Sequence, residues 1–288
     1  MSWISYAQNR EDVLLRRALG DAPPGFYVDV GACDPIKLSI TKHFYDLGWH
    51  GINVDASPKM WELLVAGRPR DLNLNVGVSN RRGEMTFYRA LADAHGGDAS
   101  GLSTFVAEEV AVHRANGFIF EELVTKVQTL GDLCAEHVPP GKPISFMSID
   151  VEGHEREVLE GGDFRRFRPR IVIVESTRPK SEEATHQRWE ELLLSADYLF
   201  GTFDGLNRYY VRAEDKALIP RLQVPPNVFD DFLPWEFQSR IEELEAEVAM
   251  LRTSQRVMST VSGLARWVGR QAETARGRIR IATSRRAR

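Results

Sequence analysis

Short apolar runs alternate with longer stretches of helical periodicity over residues 1 to about 235, and this order constrains the fold more than any other feature of the chain. Parallel strands need long crossovers that are usually helical, so the alternation predicts an α/β domain with a mostly parallel sheet. Two apolar runs within 197–211 flank an Asp-Gly pair, which predicts an antiparallel hairpin. The five runs that predict parallel-type strands are 25–31, 51–58, 72–80, 143–153 and 169–177.

The connections between these strands carry helical or turn-forming patterns. In FYVDVGACDP, the first strand ends on Gly31, and Asp34-Pro35 follows as a favourable helix start. Asp is a good N-cap, and Pro at the first helical position gives up a donor that the helix cannot use. The same patterns predict an exposed or edge strand over 84–90, a mobile loop over 91–104, and helices over 36–49, 58–66, 108–117, 127–137, 154–162 and around 182–196.

Composition narrows the class of protein. The chain has 288 residues, of which 43% are hydrophobic and 27% are charged, as in an ordinary globular protein. It has no apolar run near the roughly 20 residues that span a bilayer, and its N-terminus lacks a signal-peptide pattern. Its two cysteines, Cys33 and Cys134, lie far apart, so neither a disulfide framework nor a zinc site is expected. These features predict a cytoplasmic protein.

The pattern changes after residue 235. Over 236–260, apolar residues recur at a/d spacing among glutamates. This spacing predicts either a short coiled coil, with self-association over 239–258, or an amphipathic helix that packs on the domain. The a/d positions are Ile241, Leu244, Val248 and Leu251.

Charge is distributed unevenly along the chain. From Leu251 onward there are ten arginines and one acid, although the whole chain has a formal charge of −4. The basic tail, 261–288, predicts either a disordered segment or one that binds an anionic membrane surface, which would place the protein at the inner membrane face. The remainder is acidic, so no nucleic-acid partner is expected.

Acidic residues follow several of the predicted strands. Asp55 follows the second strand, Asp150 and Glu152 follow the fourth, and Glu175 follows the fifth. In an open parallel sheet, ligands bind beyond the carboxyl ends of the strands. Ionised carboxylates are seldom left unpartnered there. They therefore predict either helix caps and arginine pairs or a cleft that binds a cation, a metal or a proton in transit.

The turn after the first strand limits the choice of cofactor. A dinucleotide loop would continue as G-x-G-x-x-G because pyrophosphate lies against the second glycine, but Cys33 and Pro35 follow Gly31 here. S-adenosylmethionine has no phosphate, and its ammonium and sulfonium groups are positive, so neighbouring acids favour it. Asp55 lies 24 residues after Gly31 and suits the two ribose hydroxyls, with a helix cap or turn residue as the alternative.

Eight stretches resemble the FkbM-type S-adenosylmethionine-dependent methyltransferases, in the same order and at natural spacing over residues 2–233. They are SYAQNREDVLL, GFYVDVGACDP, GWHGINVDASP, NLNVGVSN, GLST, IDVEGHE, IVIVEST and FDGLNRYYV. The resemblance implies a Rossmann-like class I methyltransferase sheet over 1–235, mostly parallel with the last strand antiparallel. It also implies O-methylation, often of sugars or of secondary-metabolite hydroxyls.

The resemblance further implies roles for single residues. The methionine part is expected beside Asp29, Gly31 and Ala32, the ribose at Asp55, the adenine at Val76 and Gly77, and the sulfonium near Asp150, with Tyr6 and Gln8 closing over the cofactor. Asp34, Ala56 and Ser57 complete the expected cofactor-binding set. This sequence departs from the family's pattern at His154, which follows VEG at a position where a small or apolar residue is common in the family.

The expected reaction is attack of an acceptor hydroxyl on the methyl carbon. A positioned base helps the hydroxyl to lose its proton. The candidate catalytic residues are Asp150, Glu152, Glu175 and His113, with His154 as a further candidate base. In a variant of this mechanism, Asp150 and Glu175 bind a divalent cation that acidifies the hydroxyl.

The acceptor is expected to be a sugar hydroxyl of a cell-surface glycan or glycolipid. A secondary metabolite is the alternative acceptor. Two other classes of function stay open at this stage: an NAD(P)-dependent oxidoreductase on the same kind of sheet, and a non-catalytic scaffold with a methyltransferase fold. The missing glycines disfavour the first, and the acids at the strand ends disfavour the second.

Overall fold

A computed structural model describes residues 3–20 and 23–253, together with residues 255, 266, 267, 270 and 273. The chain divides into two compact units, Met1–Pro234 and Trp235–Arg288. The strands are β1 (Trp3–Ser5), β2 (Phe26–Val30), β3 (His50–Val54), β4 (Leu72–Leu74), β5 (Gly77–Ser79), β6 (Gly83–Ala92), β7 (Ile119–Thr129), β8 (Phe146–Ile149), β9 (Ile171–Glu175), β10 (Tyr198–Phe203), β11 (Asn207–Arg212) and β12 (Phe232–Pro234).

The α-helices are α1 (Glu11–Leu19), α2 (Lys42–Asp46), α3 (Pro58–Gly67), α4 (Ala107–Ala115), α5 (Leu130–His137), α6 (Glu155–Glu160), α7 (Glu190–Leu194), α8 (Ile219–Leu222) and α9 (235–253). Short 3₁₀ turns lie at Ser100–Leu102, His186–Arg188, Ala213–Leu218 and Val228–Asp230.

The main sheet has the strand order β10-β11-β9-β8-β2-β3-β4. Neighbouring strands from β9 through β8, β2 and β3 to β4 are parallel. Strand β11 is antiparallel to both of its neighbours, β9 and β10. The predicted α/β fold and the predicted hairpin are therefore confirmed, with a sheet that is mixed.

The core lies on both faces of this sheet. Side chains alternate between the faces along a strand, so Val28 and Val30 of β2 pack in one apolar cluster while Tyr27 packs in the other. Because β2 is buried on both faces, its sequence is an almost continuous apolar run and not an alternation of apolar and polar residues. Asp29 is the polar exception in β2, and it is only 5% exposed.

A second sheet contains β5, β7 and β6 in that order. The predicted third strand, 72–80, is wrong as a single strand, because β4 joins the main sheet and β5 joins this one. Strand β7 was not expected, and the helix predicted over 127–137 begins only at Leu130. Thr129 ends the strand and caps the helix, since its Oγ1 accepts a hydrogen bond of 3.1 Å from the Asp132 amide.

The helix predicted over 36–49 is also wrong in extent, because only α2 is helical. Asp34 does not cap a helix: its Oδ1 accepts the amides of Ile36 (2.8 Å) and Lys37 (2.7 Å) in a local turn. The Arg68 guanidinium donates to the Pro35 carbonyl at 2.7 Å, which removes that oxygen from any helical ladder. Around 182–196, only α7 is α-helical.

The second unit begins with α9. The four a/d residues lie on this helix with exposed fractions between 42% and 57%. Self-association through 239–258 stays a prediction, and most of the basic tail, 261–288, lies outside the described residues. Over the part of the chain that the structure describes, no helix is both long and apolar enough to cross a membrane.

Glu11 of α1 links the stability of the fold to pH. It is 2% exposed, and its oxygens accept hydrogen bonds from the Asn207 side chain (2.7 Å) and the Asn9 amide (2.8 Å). Burial, with repulsion from Asp204, raises the pKa of this carboxyl from 4.5 to about 8. Its stabilising contribution is therefore complete below pH 4.5 and is lost as the pH rises through about 8.

We expect the free energy of unfolding to fall by up to about 1.4 kcal/mol per pH unit over this window because of Glu11. The Glu11→Gln variant should show a flatter profile in urea denaturation between about pH 6.5 and pH 8, where the extra proton on Glu11 is lost. The buried ring of His43, whose pKa is lowered to about 4, acts in the opposite sense only below 6.5. Equal slopes for the two proteins would contradict the assignment to Glu11.

Candidate active site

Strand register brings the predicted strand-end residues into one row. Val30 of β2 pairs with Val54 of β3 and with Ile149 of β8, and Ile149 pairs with Val174 of β9. The residues that follow or end these strands, namely Gly31, Asp55, Asp150 and Glu175, must therefore lie side by side at the carboxyl edge of the sheet. This is the edge at which open parallel sheets bind ligands.

Gly31 allows two strand ends to approach closely. Its φ is +84°, and a Cβ built on it would lie 1.7 Å from the Asp150 carbonyl oxygen. The Asp150 amide donates to the Val30 carbonyl at 3.0 Å, and the Gly31 amide donates to Val54 at 2.9 Å. No side chain fits between these backbones, so glycine is required by space as well as by conformation.

Asp55 fastens the turn that follows Gly31. Its Oδ2 accepts the amide of Cys33 (2.9 Å), and its Oδ1 accepts the amide of Ser57 (2.7 Å). Cys33 has a φ of +49°, so this carboxylate holds a left-handed residue in place. Burial raises the pKa of Asp55 to about 6, and the two amides oppose that rise. Asp55 therefore acts as a turn residue, which was the alternative to ribose binding that the sequence predicted. It also lines the cavity described below.

Asp29 points to the same end of the sheet from within β2. Its Oδ2 accepts a hydrogen bond from the Thr41 hydroxyl at 3.0 Å, which explains why Thr41 makes no side-chain cap at the start of α2. Burial raises the pKa of Asp29 to about 7, and the nearby Arg68 partly opposes this.

Asp150 and Glu175 form a pair of acids without a cation. Asp150 Oδ1 and Glu175 Oε2 are both buried and have no hydrogen-bond partner among the described residues. Burial raises the pKa of both carboxyls, and for Glu175 the charges of Asp150 and Glu152 raise it further. A hydrogen bond between the two carboxyls lowers the pKa of Asp150 and raises that of Glu175. Glu152, at φ +54°, also has a pKa raised well above its ordinary value by burial and by Asp150.

The arginines that could have neutralised these acids are used elsewhere. Arg156 pairs with Glu160 at 2.8 Å, Arg170 with Asp215 at 2.9 Å, and Arg178 with Glu109 at 3.0 Å. The alternative in which the strand-end acids simply pair with these arginines is therefore wrong. The acids face a cavity instead.

A cavity of about 690 Å³ opens over the row of strand ends. Strands, turns and the 98–103 stretch all contribute to its wall. The predicted site residues that line it are Gln8, Asp29, Gly31, Ala32, Asp34, Asp55, Ala56, Val76, Gly77, Asp150, Glu152 and Glu175. The structure brings these residues together, and their individual roles stay predictions.

Four other candidates are not among the described residues that line the cavity. Tyr6 donates its hydroxyl to Asp46 at 3.2 Å, and the Ser57 amide is bound to Asp55. His113 is 4% exposed and packs against Phe118 and Phe120. His154 lies 3.0 Å from the Ser79 hydroxyl. Both histidines are buried and neither lines the cavity, and their roles as candidate bases stay predictions.

Gln8 lines the cavity, and the two residues before it are anchored by hydrogen bonds. Asp12 Oδ2 accepts the amides of Tyr6 (2.7 Å) and Ala7 (3.4 Å), and Ala7 forms a parallel bridge with Leu38. The sequence does not predict these hydrogen bonds, because Asp12 has the pattern of an ordinary acidic residue in the first turn of a helix.

Several cavity residues were missed from the sequence. Lys37, Lys59 and Lys180 line the cavity and add positive charge to a lining that also contains the acids. The stretch predicted as a mobile loop supplies part of the wall in a hydrogen-bonded form, since Asp93 Oδ1 accepts the amides of His95 and Gly97 at 2.8 Å. The wall residues from this part of the chain are Phe87, Asp93, Asp98, Ala99, Ser100, Gly101, Leu102, Ser103, Phe105 and Phe118.

The protein family of this chain was determined by comparison with known proteins. Residues 29–200 match the model of the methyltransferase FkbM domain, which is more than half of the chain. The matched stretch begins in β2 and ends in β10, so it contains Gly31, Asp55, Asp150 and Glu175. A search of curated proteins gave no match. The extent of the family match is sufficient on its own: this chain belongs to the FkbM methyltransferase family.

Proposed function

We propose that the protein is an S-adenosylmethionine-dependent O-methyltransferase. The observation that carries the proposal is the cavity in which Gly31, Asp55 and Asp150 meet at the ends of β2, β3 and β8. This is the location of ligands in sheets of this kind, and the family match makes the protein a methyltransferase. The finer description of the fold as a Rossmann-like class I methyltransferase sheet is part of the same proposal.

The residues present fit this cofactor. The turn of Gly31, Ala32 and Cys33 presents backbone and an acidic surrounding rather than a glycine-rich phosphate cradle, which suits a ligand with positive groups and no phosphate. Asp29 and Asp150 would lie beside the methionine part, and Asp55 beside the ribose. Val76 and Gly77, close to the ring of Phe105, would border the adenine.

When bound, S-adenosylmethionine supplies an electrophilic methyl group. The residues of this chain orient the acceptor hydroxyl and exclude water, and such positioning provides most of the acceleration. Glu152 and Glu175 are the proposed bases because both line the cavity and have raised pKa values, which brings them closer to the operating pH of a general base. The acceptor proton would pass to one of these carboxylates.

The proposed acceptor is a sugar hydroxyl in a glycan or glycolipid. Support comes from the cavity lining, in which Asp93, Asp98, Ser100 and Ser103 offer polar side chains suited to a polyhydroxylated compound. Methylation of a secondary metabolite is the alternative within the same chemistry.

Cofactor binding tests the proposal directly. Isothermal titration calorimetry of the full chain is expected to show S-adenosylhomocysteine binding at one site with micromolar affinity, and no binding of NADH. The pyrophosphate of NADH would meet the acids of this turn rather than amide donors. Binding of NADH in preference to S-adenosylhomocysteine would contradict the proposal, and binding of neither would favour a non-catalytic scaffold.

A further inference from the structure

A third buried acid lies beside the unpaired acids Asp150 and Glu175. Glu155, the first residue of α6, is 2% exposed, and one oxygen from each of these three carboxyls lies within 4.8 Å of the other two. Glu155 is not one of the candidate site residues predicted from the sequence. The hydrogen bonds that it accepts from the amides of Val151 (3.2 Å) and Gly153 (3.0 Å) both fall on Oε1.

Among the described residues, none of these three acids has an ion pair with a cationic side chain. The ion pairs of Arg156, Arg170 and Arg178 all lead to other acids. Glu175 is 6% exposed, and its Oε2 has no hydrogen-bond partner there. A buried carboxylate in this position is costly unless a positive ligand compensates it.

We propose that Asp150, Glu155 and Glu175 together form a binding site for a divalent cation that prefers oxygen ligands, of the Mg²⁺ or Mn²⁺ class. Carboxylates are the protein ligands that these hard cations select, and such cations usually keep open positions for water or a substrate oxygen. The ion does not need the cofactor in order to bind, although Asp150 also borders the proposed cofactor site. Glu175 is one of the two proposed bases, so Glu152 is left as the base when the ion is bound. The consequence of the site for chemistry rests on the proposed function: an acceptor hydroxyl that binds the ion from the cavity side becomes more acidic.

The position of Glu155 distinguishes a bound metal ion from a positively charged group of a cofactor as the ligand of these acids. Asp150 and Glu175 line the cavity, whereas Glu155 is not among its described lining residues. A sulfonium or ammonium group that belongs to a cofactor in the cavity meets the first two carboxylates and not the third. An ion between the three carboxyls contacts all of them, which accounts for the inclusion of Glu155 in the cluster.

Electron paramagnetic resonance with Mn²⁺ tests the site on the full chain, after chelator treatment and without cofactor. The signal of free Mn²⁺ should fall with a stoichiometry of one ion per chain, and Mg²⁺ should compete. Glu175→Gln and Asp150→Asn should each weaken binding by about tenfold or more, because affinity follows the charge of the ligand set. Two variants are used so that a folding defect in one of them, detected by circular dichroism, leaves the other informative.

Asp98→Asn is the matched control. Asp98 lines the same cavity, but its hydrogen bonds lie within its own turn, to Ser100. Removing its charge should leave the Mn²⁺ affinity within about twofold of the wild-type value. This control distinguishes direct coordination of Mn²⁺ from the electrostatic effect of a nearby negative charge in the cavity. The inference is overturned if the wild-type chain binds no Mn²⁺ at millimolar concentration, or if Glu175→Gln and Asp150→Asn both bind it normally. S-adenosylhomocysteine binding, measured in parallel without metal, reports on the proposed function separately.

Discussion

Replacing Gly31 with alanine is expected to destabilise the protein by about 4 kcal/mol and to abolish cofactor binding. The new Cβ would lie 1.7 Å from the Asp150 carbonyl oxygen, at a φ of +84° that alanine rarely adopts. Relief of this clash requires the ends of β2 and β8 to separate, and those strands hold the whole row of strand-end residues together. The measurements are urea denaturation and calorimetric titration with S-adenosylhomocysteine.

Gly141→Ala is a matched control for the conformational part of this effect. Gly141 has a φ of +72°, and a Cβ built on it meets no atom within 4 Å. This variant should lose only about 1 kcal/mol and should bind S-adenosylhomocysteine normally. If the two variants were equally stable, the close approach of the two strand ends at Gly31 would not be a constraint on the fold.

Asp55→Asn is expected to weaken S-adenosylhomocysteine binding by at least about tenfold and to destabilise the protein by about 2 kcal/mol. The Cys33 and Ser57 amides bind different oxygens of this carboxylate. An asparagine keeps only one oxygen, so its NH₂ group must face the other amide and leave that donor unsatisfied. Release of the Cys33 amide frees the turn that follows Gly31. Chemical denaturation and calorimetric titration measure the two effects.

Asp93→Asn serves as the control for this substitution. Both amides that Asp93 binds, from His95 and Gly97, fall on the single oxygen Oδ1, so an asparagine can keep both hydrogen bonds. We expect its stability to change by less than about 1 kcal/mol and its affinity for S-adenosylhomocysteine to be unchanged. An Asp55→Asn variant that behaves like Asp93→Asn would remove Asp55 from the cofactor site.

The elements that could be predicted from the sequence are those whose pattern lies within one short stretch of residues. The strands β2, β3, β8 and β9 are buried on both faces and read as apolar runs. Strand β7 was missed because much of it is exposed and its charged residues hide the strand signal. Strands β1 and β12 pair Trp3 with Phe232, across almost the whole unit, so no local pattern indicates them.

The same distinction applies to the candidate site. Asp55, Asp150 and Glu175 could be selected because each stands at the end of an apolar run, and parallel register then places them together. Glu155 could not, because it reads as the first residue of a helix, and only the folded backbone turns its carboxyl toward Glu175. His113 was selected by residue type alone, and its aromatic neighbours come from β7 and the turn before it.

Two parts of the cavity lining differ in origin. One consists of the ends of the main-sheet strands, which are packed in the core on both faces. Another comes from a single contiguous stretch between Phe87 and Phe118, carried on β6, β7 and the segment between them. Because this stretch enters and leaves through one antiparallel pair of strands, an insertion or replacement within it need not alter the strand ends. A change confined to this one segment would therefore alter part of the cavity lining and leave Gly31, Asp55, Asp150 and Glu175 in place.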